Sequence, residues 1–397
     1  MIELSERLQA MEESATIAMS QKSRELKAEG KDVISLSLGE PDFNTPDFIK
    51  AAANSAIKDN YTNYTPVPGY EDLRKAIANK FKRDNDLHYA TNQIVVSTGA
   101  KQSIANVSMS VVNTGDEVII PAPFWVSYIE IVKVSEGVPV IVNAGIDTDF
   151  KITAEQLEEA ITEKTKLMIF STPCNPTGSV YSKEELRALA DVLVKHPQIV
   201  VICDEIYEHI NFGTRHESLA QFDDVYNQVV TVNGVSKAWA MTGLRLGYIG
   251  ANKEIAAAYS KIQGQFTSGT CSITQRAAIA AMDADPVVLK DMIAAFGSRR
   301  TLVLDKLNEI EGVKTNVPGG AFYVFPDVSY FYGKSFNGTT IENGSDLAMF
   351  LLNEALVALV TGEAFGDPNC IRISYAASEK VLTEAMKRIK EALEKLS

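Results

Sequence analysis

Lys237 and Arg245 are the only charged residues between Asp224 and Lys253, within the segment NGVSKAWAMTGLRLGYIG at 233–250. A lysine in so apolar a segment is expected to lose hydration, which lowers its pKa toward neutrality. An uncharged lysine is a nucleophile that can form a Schiff base with a carbonyl compound. The alternative is that Lys237 extends from a loop into solvent, as most lysines do.

Asp204 and Tyr207 follow an apolar run in the segment VVICDEIYEH. A carboxylate at the end of a buried strand requires a cationic partner, and a protonated pyridine nitrogen would serve. Tyr207 could place its hydroxyl group on the same ligand. The simpler alternatives are a helix N-cap or an ordinary ion pair for Asp204, and a half-buried aromatic for Tyr207.

A phosphate site is indicated by VVSTGAKQSIANV at 95–107, which is typical of a strand, a turn at Gly99 and the start of a helix. Free backbone N–H groups at a helix N-terminus bind phosphate, and Arg245 could supply a bidentate partner. A plain strand-to-helix turn and a surface ion pair of Arg245 would explain the same residues.

The elements that would carry these residues alternate between strand and helix. Apolar or β-branched runs predict strands, in the segments 93–98, 117–122, 166–172, 198–205 and 228–234. Helical patterns between them begin at capping boxes, Thr153 with Gln156 and Ser182 with Glu185. Strands that are apolar on both faces and interleaved with helices indicate an α/β fold, in which helices cover both sides of a mainly parallel sheet.

Three polar residues lie at or just beyond the ends of the predicted strands: Asn175, Asp204 and Lys237. Ligands of open α/β sheets bind outside the carboxyl ends of the strands, which lie at one edge of the sheet. We therefore expect these three side chains to face one crevice.

The length of 397 residues exceeds the size at which a single core stops growing, which predicts two domains. We expect a large domain over 47–285 and a smaller C-terminal α/β domain over 286–397. The segment 1–46 is expected to pack with the small domain. There is no internal repeat and no G-x-G-x-x-G dinucleotide fingerprint.

The composition is that of an ordinary globular protein, with 46% hydrophobic and 22% charged residues. A net charge of -13 argues against nucleic acid or a membrane surface as the main partner. Four scattered cysteines without a C-x-x-C pair predict neither a disulfide framework nor a metal site, and they favour the cytoplasm. The N-terminus has no apolar core of signal-peptide length.

In this order, the segments resemble the motifs of the class I/II aminotransferases of fold type I, which use pyridoxal 5'-phosphate (PLP). The resemblance rests on six segments: LGEPDF at 38–43, PAPFWVSY at 121–128, STPCNPTG at 171–178, CDEIYEH at 203–209, SKAWAMTGLRLGY at 236–248 and IRISYA at 371–376. It covers nearly the whole chain and is closest to the bacterial aspartate aminotransferase subgroup Ib. It implies a PLP-binding large domain and a smaller C-terminal α/β domain.

The resemblance implies roles around the coenzyme. Lys237 would hold PLP as a Schiff base and then act as general acid and base, while Asp204 would keep the pyridine nitrogen protonated. Tyr207 and Asn175 would bind the phenolic oxygen, and Trp125 would stack on the ring. The other implied cofactor contacts, mainly with the phosphate, are Arg245, Gly99, Ala100, Lys101, Ser236 and Tyr64. Many relatives carry a phosphate-binding serine where this chain has Gly234.

The resemblance also implies substrate contacts. Arg372 resembles the arginine that clamps the α-carboxylate as a fork, helped by Asn175, Trp125 and the backbone of Gly39. Lys101 and Thr16 resemble the pair that binds the distal carboxylate in subgroup Ib, which favours an acidic substrate. The peptide bond between Asn175 and Pro176 is a candidate cis bond. Tyr64 would reach across from a second subunit, so a homodimer is expected.

The implied function is PLP-dependent transfer of an amino group from L-aspartate or glutamate to 2-oxoglutarate or oxaloacetate, by a ping-pong mechanism. The alternative is a prephenate, aromatic or broader specificity on the same scaffold. A carbon–sulfur lyase or an aminocyclopropane-carboxylate synthase would share the coenzyme residues. A PLP-binding regulator would carry a basic DNA-binding domain first, and a family member without coenzyme would lack residues such as Lys237, Asp204 and Arg372.

Overall fold

The computed structural model describes residues 4–213 and 215–397. Its strands are β1 (Ile34–Ser35), β2 (Ile94–Ser97), β3 (Glu117–Ala122), β4 (Val138–Asn143), β5 (Thr165–Ser171), β6 (Val200–Asp204), β7 (Val229–Gly234), β8 (Gly247–Gly250), β9 (Tyr323–Val324), β10 (Ser335–Phe336), β11 (Thr339–Thr340), β12 (Val357–Ala358), β13 (Val360–Thr361) and β14 (Ile371–Ser374).

The α-helices are α1 (Glu6–Gln9), α2 (Ala15–Ala28), α3 (Asp47–Lys58), α4 (Glu71–Asn85), α5 (Ala100–Val111), α6 (Ser127–Val134), α7 (Ala154–Ala160), α8 (Lys183–Leu193), α9 (Lys253–Phe266), α10 (Ser272–Asp283), α11 (Lys290–Asn308), α12 (Gly344–Phe350) and α13 (Glu379–Leu393). Among these helices there is none with the length and apolar character needed to cross a membrane.

A seven-stranded sheet forms the centre of the molecule, in the spatial order β2-β8-β7-β6-β5-β3-β4. The pairs β4–β3, β3–β5, β5–β6 and β6–β7 are parallel, whereas β8 runs antiparallel to β7 and β2. Strands β2, β6, β7 and β8 are buried along almost their whole length because helices cover both faces. The α/β fold with a mainly parallel sheet is therefore confirmed.

Local sequence signals predict these elements well. Strand β3 has the predicted bounds, and the other four predicted strands agree within a few residues. The hydroxyl of Thr153 accepts from the Gln156 backbone N–H at the start of α7. Ser182 caps α8 in the same way through the N–H of Glu185. Both helices thus begin where their capping boxes indicate.

A second group of elements follows α11. Strands β13, β14 and β9 form a three-stranded antiparallel sheet, and α13 packs against α11. From the N-terminal segment, β1 pairs in parallel with β12, where Ile34 lies opposite Val357. The division into 1–46, 47–285 and 286–397 stays a prediction.

Candidate active site

A cavity of about 330 Å³ lies at the carboxyl ends of β5, β6 and β7. It is lined by nearly all the residues that the sequence singles out, namely Thr16, Gly39, Ala100, Lys101, Trp125, Asn175, Asp204, Tyr207, Ser236, Lys237, Arg245 and Arg372. Gly99 lies directly behind this lining, and Tyr64 lies elsewhere on the chain surface. The crevice expected from the strand ends is present.

Lys237 lies in the turn that follows β7 and extends its amine into the cavity. Its Nζ donates a hydrogen bond to the carbonyl oxygen of Gly39 at 2.6 Å. Burial, together with the positive charge of Arg372, lowers the pKa of Lys237 to about 8. A substantial fraction of this amine is therefore uncharged in mildly alkaline solution, which makes it both a nucleophile and a base.

Asp204 ends β6 and is only 5% exposed. Tyr128 Oη donates to its Oδ2 at 2.8 Å, and the backbone N–H of Ile206 donates to Oδ1 at 3.3 Å. Burial raises the pKa of Asp204 to about 6 because an ionised carboxylate is poorly solvated there. A cationic ligand group facing Asp204 would restore the ionised form.

Two buried charge pairs support the segment that carries Asp204 and Tyr207. The carboxylate of Glu205 lies 2.9 Å from Nε2 of His216. Glu208 pairs with the buried ammonium group of Lys80. Burial alone would raise the pKa of Glu208, but the charges of Lys80 and its histidine neighbours hold that pKa below its ordinary value. These pairs fix the backbone on either side of Tyr207.

Arg372 lies on β14 and is 1% exposed. Its Nη1 donates to Oδ1 of Asn175 at 3.0 Å, and its Nη2 donates to the carbonyl oxygen of Ser37. Within residues 4–213 and 215–397, its Nε has no hydrogen-bond partner. A buried guanidinium group with a free donor is well suited to bind a carboxylate.

The N-terminus of α5 faces the cavity beside Arg245. Gly99 precedes this helix with φ of +90°, and a Cβ atom there would lie 2.4 Å from Nη2 of Arg245. The backbone conformation favours glycine here, and the guanidinium group of Arg245 occupies the space that a Cβ atom would take. Arg245 lines the cavity from an exposed position, so of the two cations in the charge-poor segment only Lys237 is shielded by the chain itself.

Gly234 stands at the position where the sequence resemblance leads us to expect a phosphate-binding serine. A Cβ atom at this residue would lie 2.8 Å from the carbonyl oxygen of Leu246 and 3.1 Å from Cα of Gly247. The close approach of β7 and β8 at this point leaves no room for a serine side chain. The phosphate donors expected here are therefore Arg245 and the backbone of α5.

Lys101 and Trp125 form one side of the cavity. The ammonium group of Lys101 lies 4.9 Å from the centre of the Trp125 ring, and Thr16 on α2 lines the same cavity. Burial lowers the pKa of Lys101, and the nearby charge of Arg245 lowers it further. The cavity thus has cationic side chains besides Lys237.

Two tyrosines at the site were missed by the sequence analysis. Tyr323 on β9 lines the cavity, and its Oη lies 2.8 Å from Oη of Tyr207. Tyr128 closes the segment PAPFWVSY, yet only the structure shows that it donates to Asp204. Proximity to Trp125 could have pointed to Tyr128, whereas no local signal identifies Tyr323.

One prediction about the backbone is wrong. The cis peptide bonds precede Pro123 and Pro173, and the bond between Asn175 and Pro176 is trans. The turn is closed by a hydrogen bond of 2.9 Å from the Gly178 N–H to the carbonyl oxygen of Cys174. This turn brings Asn175 to Arg372 without a cis bond at Pro176.

Tyr64 is 97% exposed in the single chain and contributes nothing to the cavity of that chain. Its expected role depends on a second subunit and stays a prediction.

The donor set fits the coenzyme that the sequence resemblance implies. An amine with a lowered pKa can react with the aldehyde, and a buried carboxylate can face the ring nitrogen. A helix N-terminus with a neighbouring arginine can bind the phosphate.

Asp204→Asn is expected to stabilise the coenzyme-free protein at neutral pH. The folded chain holds the Asp204 proton with a pKa of about 6, against an ordinary value of 3.8. The folded state therefore binds more protons between these values, so stability falls as pH rises from about 4 to about 6. Above pH 6 this pKa difference lowers the free energy of unfolding by about 3 kcal/mol at most. Asparagine does not ionise, so the variant does not have this loss of stability.

Urea unfolding of both proteins between pH 4 and pH 8 measures this effect. The exposed carboxylate of Asp59 provides a control, since Asp59→Asn should not reproduce the pH-dependent gain. An Asp204→Asn variant that was less stable than wild type at pH 7 would contradict the expectation.

Comparisons with known proteins identify a family for the chain. The sequence model of the family described as aminotransferase class I and II matches residues 31–389. A probable aspartate/prephenate aminotransferase of Rhizobium leguminosarum bv. phaseoli is 48% identical over 97% of both chains. A bifunctional aspartate aminotransferase and glutamate/aspartate-prephenate aminotransferase of Petunia hybrida is 47% identical over 99% of this chain and 83% of its own length.

The fold agrees as well. The crystal structure of the aspartate aminotransferase from Rhizobium meliloti superposes with a TM-score of 0.97 and 42% identity, over 100% of both chains. A family match over most of the chain, relatives above 45% identity, and a site with a half-buried lysine, a buried aspartate and a buried arginine lead to one assignment. The chain belongs to the class I and II aminotransferases, which are enzymes that depend on PLP.

Proposed function

We propose that the protein transfers the amino group of L-aspartate or L-glutamate to 2-oxoglutarate or oxaloacetate, in a ping-pong reaction on one coenzyme. The observation that carries this proposal is that one cavity contains two groups. One is the Lys237 amine, with a pKa of about 8, and the other is the guanidinium group of Arg372, whose Nε has no hydrogen-bond partner among the described residues. The names of the relatives support aspartate as a substrate.

Each residue has a distinct part in this proposal. When bound, PLP supplies an electron sink for the charge left on the substrate Cα. Lys237 would take the proton from the substrate Cα and return a proton to the carbon that was the aldehyde carbon of the coenzyme, since its lowered pKa suits both directions. Asp204 would hold a negative charge against the ring nitrogen, and Tyr207 would donate a hydrogen bond to the phenolic oxygen. Arg372 and Asn175 fix the α-carboxylate.

A second candidate is prephenate as the amino acceptor. A cavity of about 490 Å³ adjoins the first and shares Ser14, Lys101, Val126 and Ser127 with it. Prephenate carries two carboxylates on a bulky frame, so the cations that suit aspartate suit it too, and the adjoining space can hold its ring. Two relatives are named for prephenate as well as aspartate.

A panel of amino donors and keto acceptors tests both candidates, with the coenzyme absorbance as the readout. Conversion to the amino form of the coenzyme by aspartate and glutamate, but not by phenylalanine, supports the first. Return of the aldehyde form by prephenate as well as by oxaloacetate adds the second. Release of pyruvate or ammonia without oxaloacetate would identify a lyase and reject the proposal.

Lys101→Met is expected to raise the KM for aspartate roughly tenfold, because the cavity-lining charge that we expect to face the distal carboxylate is lost. Methionine keeps the length and apolar stem of the side chain. The KM for alanine, which has no distal carboxylate, should change less than twofold, which provides the internal control. An equal rise for both substrates would show that Lys101 serves the coenzyme phosphate instead.

We also propose that the enzyme is a cytoplasmic homodimer in which Tyr64 reaches the phosphate of the partner site. Two features support this: Tyr64 is 97% exposed on the isolated chain, and the cysteines at 174, 203, 271 and 370 are free thiols. Light scattering gives the mass in solution. Activity from a mixture of separately inactive Lys237 and Tyr64 variants would show a shared site, and a monomeric mass would reject it.

A further inference from the structure

Tyr323 lies on the three-stranded sheet and faces the seven-stranded one. It belongs to β9, where it pairs with Ser374 of β14, the strand that carries Arg372. Its side chain is fully buried and reaches the cavity that the seven-stranded sheet forms at its strand ends. A polar group so deeply buried is expected to have a specific partner.

That partner is Tyr207. The two hydroxyl oxygens lie 2.8 Å apart, and no second side-chain hydrogen bond of either hydroxyl occurs within residues 4–213 and 215–397. A phenol hydroxyl has one proton to donate and can also accept. If Tyr323 donates, the proton of Tyr207 remains free to point into the cavity. If Tyr207 donates, its proton points at the Tyr323 hydroxyl and is not available to a ligand in the cavity.

Tyr323 also contacts two other functional groups. The guanidinium group of Arg372 lies 4.6 Å from the centre of the Tyr323 ring. A Cβ atom at Gly39 would lie 2.2 Å from Oη of Tyr323, so the hydroxyl packs directly against this backbone. Gly39 in turn accepts the hydrogen bond of Lys237. One side chain therefore touches the groups that hold the amine, the carboxylate and the phenolic oxygen.

We propose that Tyr323 is a positioning residue that donates its hydroxyl proton to Tyr207, so that Tyr207 directs its own proton at the phenolic oxygen of the coenzyme. This inference rests on the proposed function. Donation from Tyr323 polarises the Tyr207 hydroxyl and strengthens its outward hydrogen bond. The ring of Tyr323 supports Arg372 separately, through its face.

Tyr323→Phe separates the two contributions, because it removes the hydroxyl and keeps the ring. A pH titration of the coenzyme absorbance in the loaded protein is the readout. When the hydrogen bond from Tyr207 is weaker, more negative charge stays on the phenolic oxygen of the coenzyme. The Schiff-base nitrogen of Lys237 beside this oxygen then holds its proton more tightly. In Tyr323→Phe we therefore expect the apparent pKa of the coenzyme absorbance to rise by about half a pH unit. The affinity for a dicarboxylate inhibitor such as maleate should stay within about twofold.

Tyr375→Phe is the matched control. Tyr375 is also fully buried, and its hydroxyl donates to the carbonyl oxygen of Ala321 at 3.3 Å, outside the cavity lining. Its loss removes a buried hydrogen bond without changing the hydroxyl pair, so the absorbance pKa should not move. A thermal melt of each variant shows whether it is folded.

Incorporation of 3-fluorotyrosine at position 323 tests the same inference in the opposite direction. A more acidic phenol is a stronger donor, so the absorbance pKa should fall. This substitution changes little in size, and it applies even where Tyr323→Phe does not fold. In a Tyr207→Phe background, Tyr323→Phe should have no further effect on the pKa.

The outcomes separate this inference from the proposed function. A wild-type protein without a pH-dependent coenzyme band would overturn both. A normal wild-type titration with an unchanged or lowered pKa in Tyr323→Phe, or a pKa raised by 3-fluorotyrosine, would overturn the role of Tyr323 alone. Additive effects of the Tyr207 and Tyr323 substitutions would do the same.

Discussion

Lys237→Ala is expected to abolish the pH-dependent absorbance of the coenzyme and to lower the transamination rate by on the order of 10⁴-fold. In the described structure, Lys237 is the only cavity-lining lysine whose Nζ donates a hydrogen bond to the carbonyl oxygen of Gly39. Its removal takes away both the covalent attachment and the base that moves the proton. Alanine leaves the rest of the cavity intact, so the coenzyme should still bind.

Absorbance spectra and single-turnover rates with aspartate measure this effect. Lys253→Ala provides the control, since Lys253 is exposed at the start of α9 and should leave both readouts unchanged. Added methylamine should restore part of the proton-transfer rate in Lys237→Ala, because a small amine can enter the space left by the side chain. Borohydride reduction that labels another lysine of the wild-type protein would contradict the assignment.

Much of this site could be predicted from the sequence because its residues follow strands. Asp204 and Lys237 directly end or follow β6 and β7, and parallel strands bring their carboxyl ends to one edge. The strands themselves have clear apolar patterns and the helices have clear caps. Local signals of this kind are sufficient for the α/β fold and for the position of the crevice.

The rest depends on contacts between distant segments. Tyr207 and Tyr323 are 116 positions apart, and only the packing of β9 beside β14 brings their hydroxyls together. The sequence also gives no measure of burial for each residue. Lys237 and Arg245 share one charge-poor segment, yet the chain shields the first and leaves the second exposed. The backbone conformation of the turn at Asn175 also depends on contacts with distant segments. The sequence therefore did not determine it, and the predicted cis bond is wrong.

Arg372→Leu is expected to lower kcat/KM for aspartate by roughly 10²- to 10³-fold, because a buried bidentate donor for the α-carboxylate is lost. The guanidinium group is 1% exposed, and its Nε is unpaired among the described residues. Arg372→Lys keeps the charge but not the fork, so it should recover at most about tenfold of the loss. Steady-state kinetics with aspartate and 2-oxoglutarate measure these effects.

The stability of the same variant distinguishes a substrate-binding arginine from a structural one. The described residues give Arg372 no carboxylate partner, since its bonds go to Asn175 and to the carbonyl oxygen of Ser37. Relief of a buried unpaired charge should offset the loss of these bonds, so Arg372→Leu should change the unfolding free energy of the coenzyme-free protein by less than about 1 kcal/mol.

Arg299 is the matched control for this measurement, because it is similarly buried but has an anionic partner. Its Nη1 lies 2.6 Å from Oδ1 of Asp42, with the Asp42 side chain 30% exposed. Arg299→Leu breaks an existing ion pair and should destabilise the protein by about 1–3 kcal/mol, after allowance for the solvent at Asp42. If urea unfolding showed the larger loss for Arg372→Leu, Arg372 would be a structural residue, and the unsatisfied guanidinium group could no longer be assigned to the substrate carboxylate.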